Sequence, residues 1–366
     1  MIPPLRIDPS KSIKEIADAQ QKLVGAVGRL ARVRDDSVEI GPTAKEEIRR
    51  IDKTALYRYS LPEQTTAGVP VIILYALVGR YTVIDLEVDR SLVRRLLAER
   101  HDVYAVDWGL PTKADRFTRI DDYVNDYLDA YIREICGRRG MDAINLLGIC
   151  QGGVLSLCYA ALHPERIHNL ITAVTPVDFH ADKEEDREDR GFMNVWARSL
   201  TGADIDRLID VIGNIPGEFT GNLFSLMSPG RSMTKYNIDL IEAADDDAKL
   251  MNFLRMEKWL GDRPDSPGEF SRQWLKDLYQ DNKLVRGEFV LDGQQVDLGQ
   301  IRMPVLNILT DTDHIIPPPM TRALRQHVGS ADYTEKVIKG GHIGIFVGVR
   351  SHKEFAAIVT EWLTTR

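Results

Sequence analysis

Asn145-Leu146-Leu147-Gly148-Ile149-Cys150-Gln151-Gly152-Gly153 carries an apolar strand pattern straight into a glycine-flanked cysteine and then into a helical pattern. In the form G-x-C-x-G-G the central residue occupies a tight, strained strand-to-helix turn. The flanking glycines remove side chains that would collide with the neighbouring strand and helix. Cysteine stands here where such turns commonly carry serine. The start of a helix favours an anion, and the backbone N–H of Gln151 is expected to point at the place where an oxyanion would form. A second donor is expected from the loop after the first core strand, at the N–H of Val78. An isolated cysteine at a crowded turn is also compatible with a small buried thiol, so the surrounding chain has to decide.

On both sides of this stretch apolar runs alternate with helical segments, the signature of βαβ units. Strands are expected at Val69 to Ala76, Val103 to Asp107, Ile144 to Leu147, Leu170 to Val174, Val305 to Leu309 and Tyr333 to Ile338, with helices at Asp89 to Arg100, Ile120 to Cys136 and Gly153 to Leu162. The strand ending at Leu309 leads into Thr310-Asp311-Thr312-Asp313-His314, and the one ending at Ile338 leads into Gly340-Gly341-His342-Ile343-Gly344. Nucleophile, acid and histidine therefore follow in the order of an α/β-hydrolase fold, with spacings of 313 − 150 = 163 and 342 − 313 = 29 residues. His342 is placed to take the proton of Cys150, and Asp313 to fix the imidazole's tautomer and charge. Asp311 is the rival acid, and His314 a supporting hydrogen-bonding or purely structural neighbour.

The fold class is thus α/β: a mostly parallel, doubly wound sheet with an inserted, mainly helical cap. Residues 1–54 are an N-terminal helix and extension, 55–178 the first part of the core, 179–300 the cap and 301–366 the second part of the core. Cap helices are expected at Ile205 to Ile212, Ala244 to Trp259 and Phe270 to Tyr279, and Phe192, Trp196, Phe224, Met227, Phe253, Met256 and Trp259 are candidates for its apolar lining or its own core. The N-terminal helix, Ser10 to Leu30, packs on its own domain or docks a partner. The charged run Ala181 to Arg190 reads as a solvated surface segment.

Length, 366 residues at ~150 per domain, suits about two domains, or one large α/β domain with an insertion. A net charge of −8 argues against general nucleic-acid binding. The longest apolar run, Val69 to Val78, is half the ~20 residues of a spanning helix, so no transmembrane segment is expected, and no secretory signal opens the chain. Cys136, Cys150 and Cys158 give neither a disulfide framework nor a zinc spacing and suit a reducing cytoplasm. No metal motif and no nucleotide-binding glycine loop is present.

The cysteine turn, together with Tyr75-Ala76-Leu77-Val78, Val106-Asp107-Trp108-Gly109, Thr175-Pro176-Val177-Asp178-Phe179, the segment Asn252 to Trp259 and Gly341-His342-Ile343-Gly344, resembles the catalytic subunit of class III polyhydroxyalkanoate synthases from about residue 5 to the end. Class IV enzymes are of similar size. The resemblance implies an acyl-accepting thiol at Cys150 with Asp313 and His342 as catalytic partners. It also implies polymerisation of 3-hydroxyacyl groups, short ones such as 3-hydroxybutyryl, taken from coenzyme A. The coenzyme A thioester is then substrate and no cofactor is needed. A non-catalytic second subunit of the PhaE type, a homodimer or larger assembly, and residence on polyester granules in the cytoplasm are further implications. A thioesterase or dienelactone-type hydrolase of the same fold is the alternative, and a non-catalytic granule scaffold a more distant one. Two departures stand out: the long 181–190 connection, and Gly79 where a polar residue such as asparagine is expected.

Overall fold

The computed structural model describes residues 17, 21–22, 24–181, 191–227, 239–244, 246–348 and 350–366. The six apolar runs are all strands, and two more precede them. In chain order they are β1 (Lys45–Ile51), β2 (Thr54–Tyr59), β3 (Ala67–Leu74), β4 (His101–Asp107), β5 (Ile144–Ile149), β6 (Ile167–Ala173), β7 (Val305–Thr310) and β8 (Tyr333–Ile338). They form one eight-stranded sheet ordered β1-β2-β4-β3-β5-β6-β7-β8. β2 runs antiparallel to both neighbours, and every later pairing is parallel.

The sheet begins at Lys45, inside the segment expected to be an extension ahead of the core. The difference has a physical cause. β1 reads Lys-Glu-Glu-Ile-Arg-Arg-Ile and is mostly exposed at the sheet edge, where charge discourages pairing with another chain and also erases the apolar signal. β5 and β7, by contrast, are buried at every position, as expected for central parallel strands covered on both faces.

Helices connect the strands: α1 (Leu92–Ala98), α2 (Asp129–Arg139, preceded by a π-helical stretch, Asp122–Leu128) and α3 (Gln151–Leu162). α1 starts later than its apolar pattern suggests because Ser91 caps it, accepting the N–H of Arg94, and a short ribbon, Asp85–Glu87 with Arg90–Ser91, occupies the preceding residues. α2 ends at Gly140 in the left-handed conformation, φ 62°.

Between β6 and β7 the chain leaves the sheet for the expected insertion. Its helices include α4 (Phe192–Ser199), α5 (Gly202–Ile212), α6 (Gly217–Leu226), α7 (Asp247–Gly261) and α8 (Gly268–Gln273). Thr201 and Asp204 form a reciprocal capping box at the start of α5, and Asp246 caps α7. After β8 the chain closes with α9 (Ser351–Thr364), which packs on α1.

Residues 24–30 are helical, and Ala26 and Leu30 pack with Ala244, Leu250 and Leu254, so this segment covers the cap; Val24 and Val27 face outward. The rest of the expected N-terminal helix, residues 10–16, 18–20 and 23, and the charged run 182–190 lie outside the described residues.

Strand register decides where chemistry can gather. Leu74 pairs with Gly148, Ile149 with Ala173, Ala173 with Ile308, and Thr310 with Ile338. The carboxyl ends of β3, β5, β7 and β8 therefore lie in one row, where open parallel sheets place their ligand crevice. Cys150, Asp313 and His342 are separated by up to 192 residues and leave the sheet along that single edge.

Candidate active site

Cys150 sits between β5 and α3 with φ 54° and ψ −119°, a backbone conformation costly for any side chain by ~1–3 kcal/mol. Its N–H donates to the Ala173 carbonyl at 2.9 Å, which ties the turn to β6. The neighbouring glycines are sterically required. A Cβ on Gly152 would lie 2.3 Å from the Leu74 carbonyl oxygen, and one on Gly153 would lie 1.9 Å from Thr175 Oγ1. Close packing of the helix start against β3 and β6 thus lifts the thiol to the sheet edge. Only 7% of Cys150 is exposed, and that part faces a cavity.

Asp313 is buried in the loop after β7. Its Oδ1 accepts the N–H groups of Ile315 and Ile316 at 3.0 and 2.9 Å, and its Oδ2 accepts Nδ1 of His342 at 2.8 Å. That contact fixes the imidazole with its Nδ1 proton toward the carboxylate and leaves Nε2 for the thiol, and His342 is hydrogen-bonded to Cys150. Burial alone would lower the His342 pKa. The Asp313 carboxylate foremost, with the neighbouring Cys150, more than reverses this and pushes it up to about 10.

Asp311, the rival acid, is exposed, and its Oδ1 accepts the Gly340 N–H at 2.8 Å, so it ties the loop after β7 to the loop after β8. His314 is exposed and lines the cavity wall. Cys158 is fully buried with its pKa driven upward by desolvation, and Cys136 is buried as well.

One N–H expected to receive an oxyanion is already engaged in the structure. The N–H of Val78 does not stand open: it donates to Oε1 of the Gln151 side chain at 3.2 Å, and the same oxygen accepts the N–H of Leu77 at 3.0 Å. The backbone N–H of Gln151, at the first position of α3, makes no hydrogen bond among the described residues. Sequence reasoning considered the main chain of Gln151 and overlooked its carboxamide, although a long amide beside the thiol was visible.

Above these groups lies a cavity of about 1310 Å³ bounded by the core and the cap. Of the expected apolar lining, Phe224, Phe253, Met256 and Trp259 are in its wall, while Trp196 packs near Phe219. Tyr75 joins the wall, with its ring edge-on to Trp259 and Phe346. The Trp259 indole N–H donates to the Arg80 carbonyl at 2.8 Å. Gly79 has a reason: a Cβ there would lie 3.2 Å from the Trp259 ring, so a larger residue would press on the cavity wall.

Arg263, also missed in the sequence, is half-buried in this wall. It reaches the Leu260 carbonyl at 3.0 Å, stands over the Phe224 ring, and has no carboxylate within ion-pair distance among the described residues. Burial lowers its pKa. Among the described residues no group of side chains suited to holding a metal occurs, and no helix is long and apolar enough to cross a membrane.

Residues 69–349 match the family model of the alpha/beta hydrolase fold. Over 365 residues the chain is 42% identical to the poly(3-hydroxyalkanoate) polymerase subunit PhaC of Allochromatium vinosum, with 99% of each chain covered. The chain belongs to the PhaC family of poly(3-hydroxyalkanoate) polymerases. Its similarity to the same-named subunits of Thiocystis violacea (39% identity, 99% of each chain) and Synechocystis (38%, covering 97% of this chain and 93% of the other) agrees. Membership of the PhaC family makes it a polymerase, an acyltransferase built on a hydrolase fold. Among solved structures, the monoacylglycerol lipase of Paleococcus ferrophilus superposes with a TM-score of 0.54 at 19% identity, over 85% of this chain and 98% of the lipase, a likeness of fold alone.

Proposed function

We propose that this PhaC-family chain polymerises (R)-3-hydroxyacyl groups from coenzyme A through a covalent thioester on Cys150, with 3-hydroxybutyryl-coenzyme A as its short-chain substrate. The observation that carries the reading is a thiol at a strained strand-to-helix turn, hydrogen-bonded to a histidine whose far nitrogen is held 2.8 Å from a buried carboxylate.

In acylation, Cys150 Sγ bonds to the thioester carbonyl carbon and the carbon–sulfur bond to coenzyme A breaks. His342 takes the thiol proton and passes it to the departing sulfur. A serine would turn the incoming thioester into an oxoester and lose much of its activation, whereas cysteine keeps the acyl group ready for the next transfer. The 3-hydroxyl of another hydroxyacyl unit, deprotonated by His342, then attacks the acyl carbon; the ester bond forms, the bond to Cys150 Sγ breaks, and the proton returns from His342 to the thiol. Asp313 holds the imidazole in the tautomer that both steps need.

Water competes with that hydroxyl, and the apolar wall of Phe224, Phe253, Met256 and Trp259 beneath the cap favours the polyester over solvent. A second, PhaE-type subunit, assembly into homodimers or larger species, and location at the surface of cytoplasmic polyester granules complete the proposal.

The test is an assay of the purified chain, with and without its partner subunit, on 3-hydroxybutyryl-coenzyme A, following thiol release and turbidity together, with Cys150→Ala as the blank. Thiol release with turbidity, both lost in the blank, is the expected outcome. Thiol release in a clear solution means that the acyl group goes to water and makes the chain a thioesterase.

A further inference from the structure

Three backbone donors converge beside the Cys150 turn: the N–H groups of Leu77 and Val78, just past the end of β3, and that of Gln151 at the first position of α3. The two segments are in close contact, since the Gly152 Cα faces the carbonyls of Leu74 and Tyr75 with no room for a side chain. Ala76, Val78 and Cys150 border the same cavity. Two of the three donors are already engaged, both by one neutral oxygen, Gln151 Oε1, at 3.0 and 3.2 Å.

We propose that the Gln151 side chain is a positioning residue that stands in for the oxyanion of the substrate: its Oε1 occupies the Leu77 and Val78 N–H groups in the resting enzyme and is displaced when the thioester carbonyl becomes tetrahedral. The inference rests on Cys150 being the acyl-accepting thiol. Physical grounds favour displacement over a fixed clamp. Leu77 is buried, and its N–H would be unsatisfied in an empty site, so the resting state requires an acceptor. A neutral amide oxygen meets that need, yet an oxyanion is a stronger acceptor for the same donors. The occupant is a buried three-torsion side chain, so its departure requires rotation about its own torsions and no change in the hydrogen bonds of the sheet. It also leaves by the first turn of α3, whose own free N–H then becomes the third donor.

The role makes opposite predictions from those of a loop clamp for two variants. Gln151→Met keeps length but has no strong acceptor, so substrate has nothing to displace. Its single-turnover thiol release from 3-hydroxybutyryl-coenzyme A is expected to be roughly three- to tenfold faster than wild type, a modest net gain because the two neutral hydrogen bonds that no longer have to be broken are replaced by bonds to the substrate oxygen in either enzyme. Gln151→Glu holds both N–H groups with a charged acceptor and is expected to be slower, recovering as the pH falls and the carboxyl is protonated. A clamp would give a slower methionine variant and a near-normal glutamate variant. Gln151→Ala serves as a second acceptor-free variant, and melting curves accompany all three.

Faster acylation in Met or Ala, with Glu slowed and acid-rescued, supports the proposal. Acceptor-free variants that are slower than wild type or equal to it overturn it. So does loss of folding in both, since the two hydrogen bonds would then be structural. Wild-type thiol release that survives Cys150→Ala fails the underlying reading instead, and the two failures are told apart by that control.

Discussion

Asparagine at 313 tests the acid assignment with the least disturbance of the loop. In Asp313→Asn the amide oxygen can still accept the N–H groups of Ile315 and Ile316, which Oδ1 takes at 3.0 and 2.9 Å in the native chain. What is lost is on the other side. The amide nitrogen would face His342 Nδ1 where Oδ2 now stands at 2.8 Å, donor against donor, so the ring must turn to the other tautomer or give up the contact. The stability cost is that of one hydrogen bond between charged groups, roughly 1.5–3 kcal/mol. The kinetic cost is far larger, on the order of 10⁴-fold in turnover for a tautomer reversed in a triad of this geometry. Asp311→Asn is the control, because its oxygen can keep the Gly340 N–H at 2.8 Å and no histidine depends on it; it should stay within a few-fold of wild type. Both variants would be assayed by thiol release from 3-hydroxybutyryl-coenzyme A, with thermal melting alongside. An Asp311→Asn enzyme as impaired as Asp313→Asn, or an Asp313→Asn enzyme within about tenfold of wild type, would refute the reasoning.

Gly152→Ala should abolish thiol release and lower the melting temperature, because its methyl would meet the Leu74 carbonyl at 2.3 Å and backbone cannot step aside; overpacking of this kind costs at least ~1–3 kcal/mol. The raised His342 pKa makes a signed prediction for stability: the folded state holds the proton more tightly than the unfolded chain. The contribution is therefore full below the unfolded value near 6.5 and is lost as pH rises through about 10. In urea titrations the stability gap between wild type and His342→Gln should accordingly be wide in mild acid and narrow toward pH ~10, and a gap that widens with pH would contradict it. Alkylation of Cys150 to a neutral thioether removes that residue's share in raising the His342 pKa, so the ring should titrate lower in the alkylated protein by NMR; an unchanged value would mean that Asp313 alone raises it.

Much of the fold was legible because the central strands are buried on both faces and must be apolar throughout. The run Val305 to Leu309 and the run Ile144 to Leu147 fall within observed strands for that reason. β1 was not legible, since an edge strand written Lys-Glu-Glu-Ile-Arg-Arg-Ile has the charge pattern of a solvated segment. The positions of Cys150, Asp313 and His342 could be read because each lies within four residues of a strand's end, and the turn glycines are demanded by backbone contacts that only glycine permits. Side-chain occupancy was another matter. Nothing in the order of residues says that the Gln151 amide folds back onto Leu77 and Val78, or that Arg263 stands in the cavity wall with no carboxylate beside it among the described residues, because both depend on how the cap and the loop after β3 meet.

In the proposed mechanism the electrostatics of the site also bear on how one imidazole can serve both half-reactions. Once His342 has taken the thiol proton it lies between two negative neighbours, Asp313 and the Cys150 sulfur, and both favour its protonated form against the opposing effect of burial. An imidazolium is what the departing coenzyme A sulfur requires. Once the acyl group is on Cys150 the sulfur is neutral, and one of those two contributions disappears while burial and Asp313 remain. The balance then moves toward the neutral ring, which is the form needed to accept a proton from the attacking 3-hydroxyl. The carboxylate alone would not produce this alternation, because its charge is the same in both steps; the thiol does, because acylation extinguishes its charge. As proposed, a cysteine nucleophile therefore conserves the thioester and, by the same bond, resets its own base.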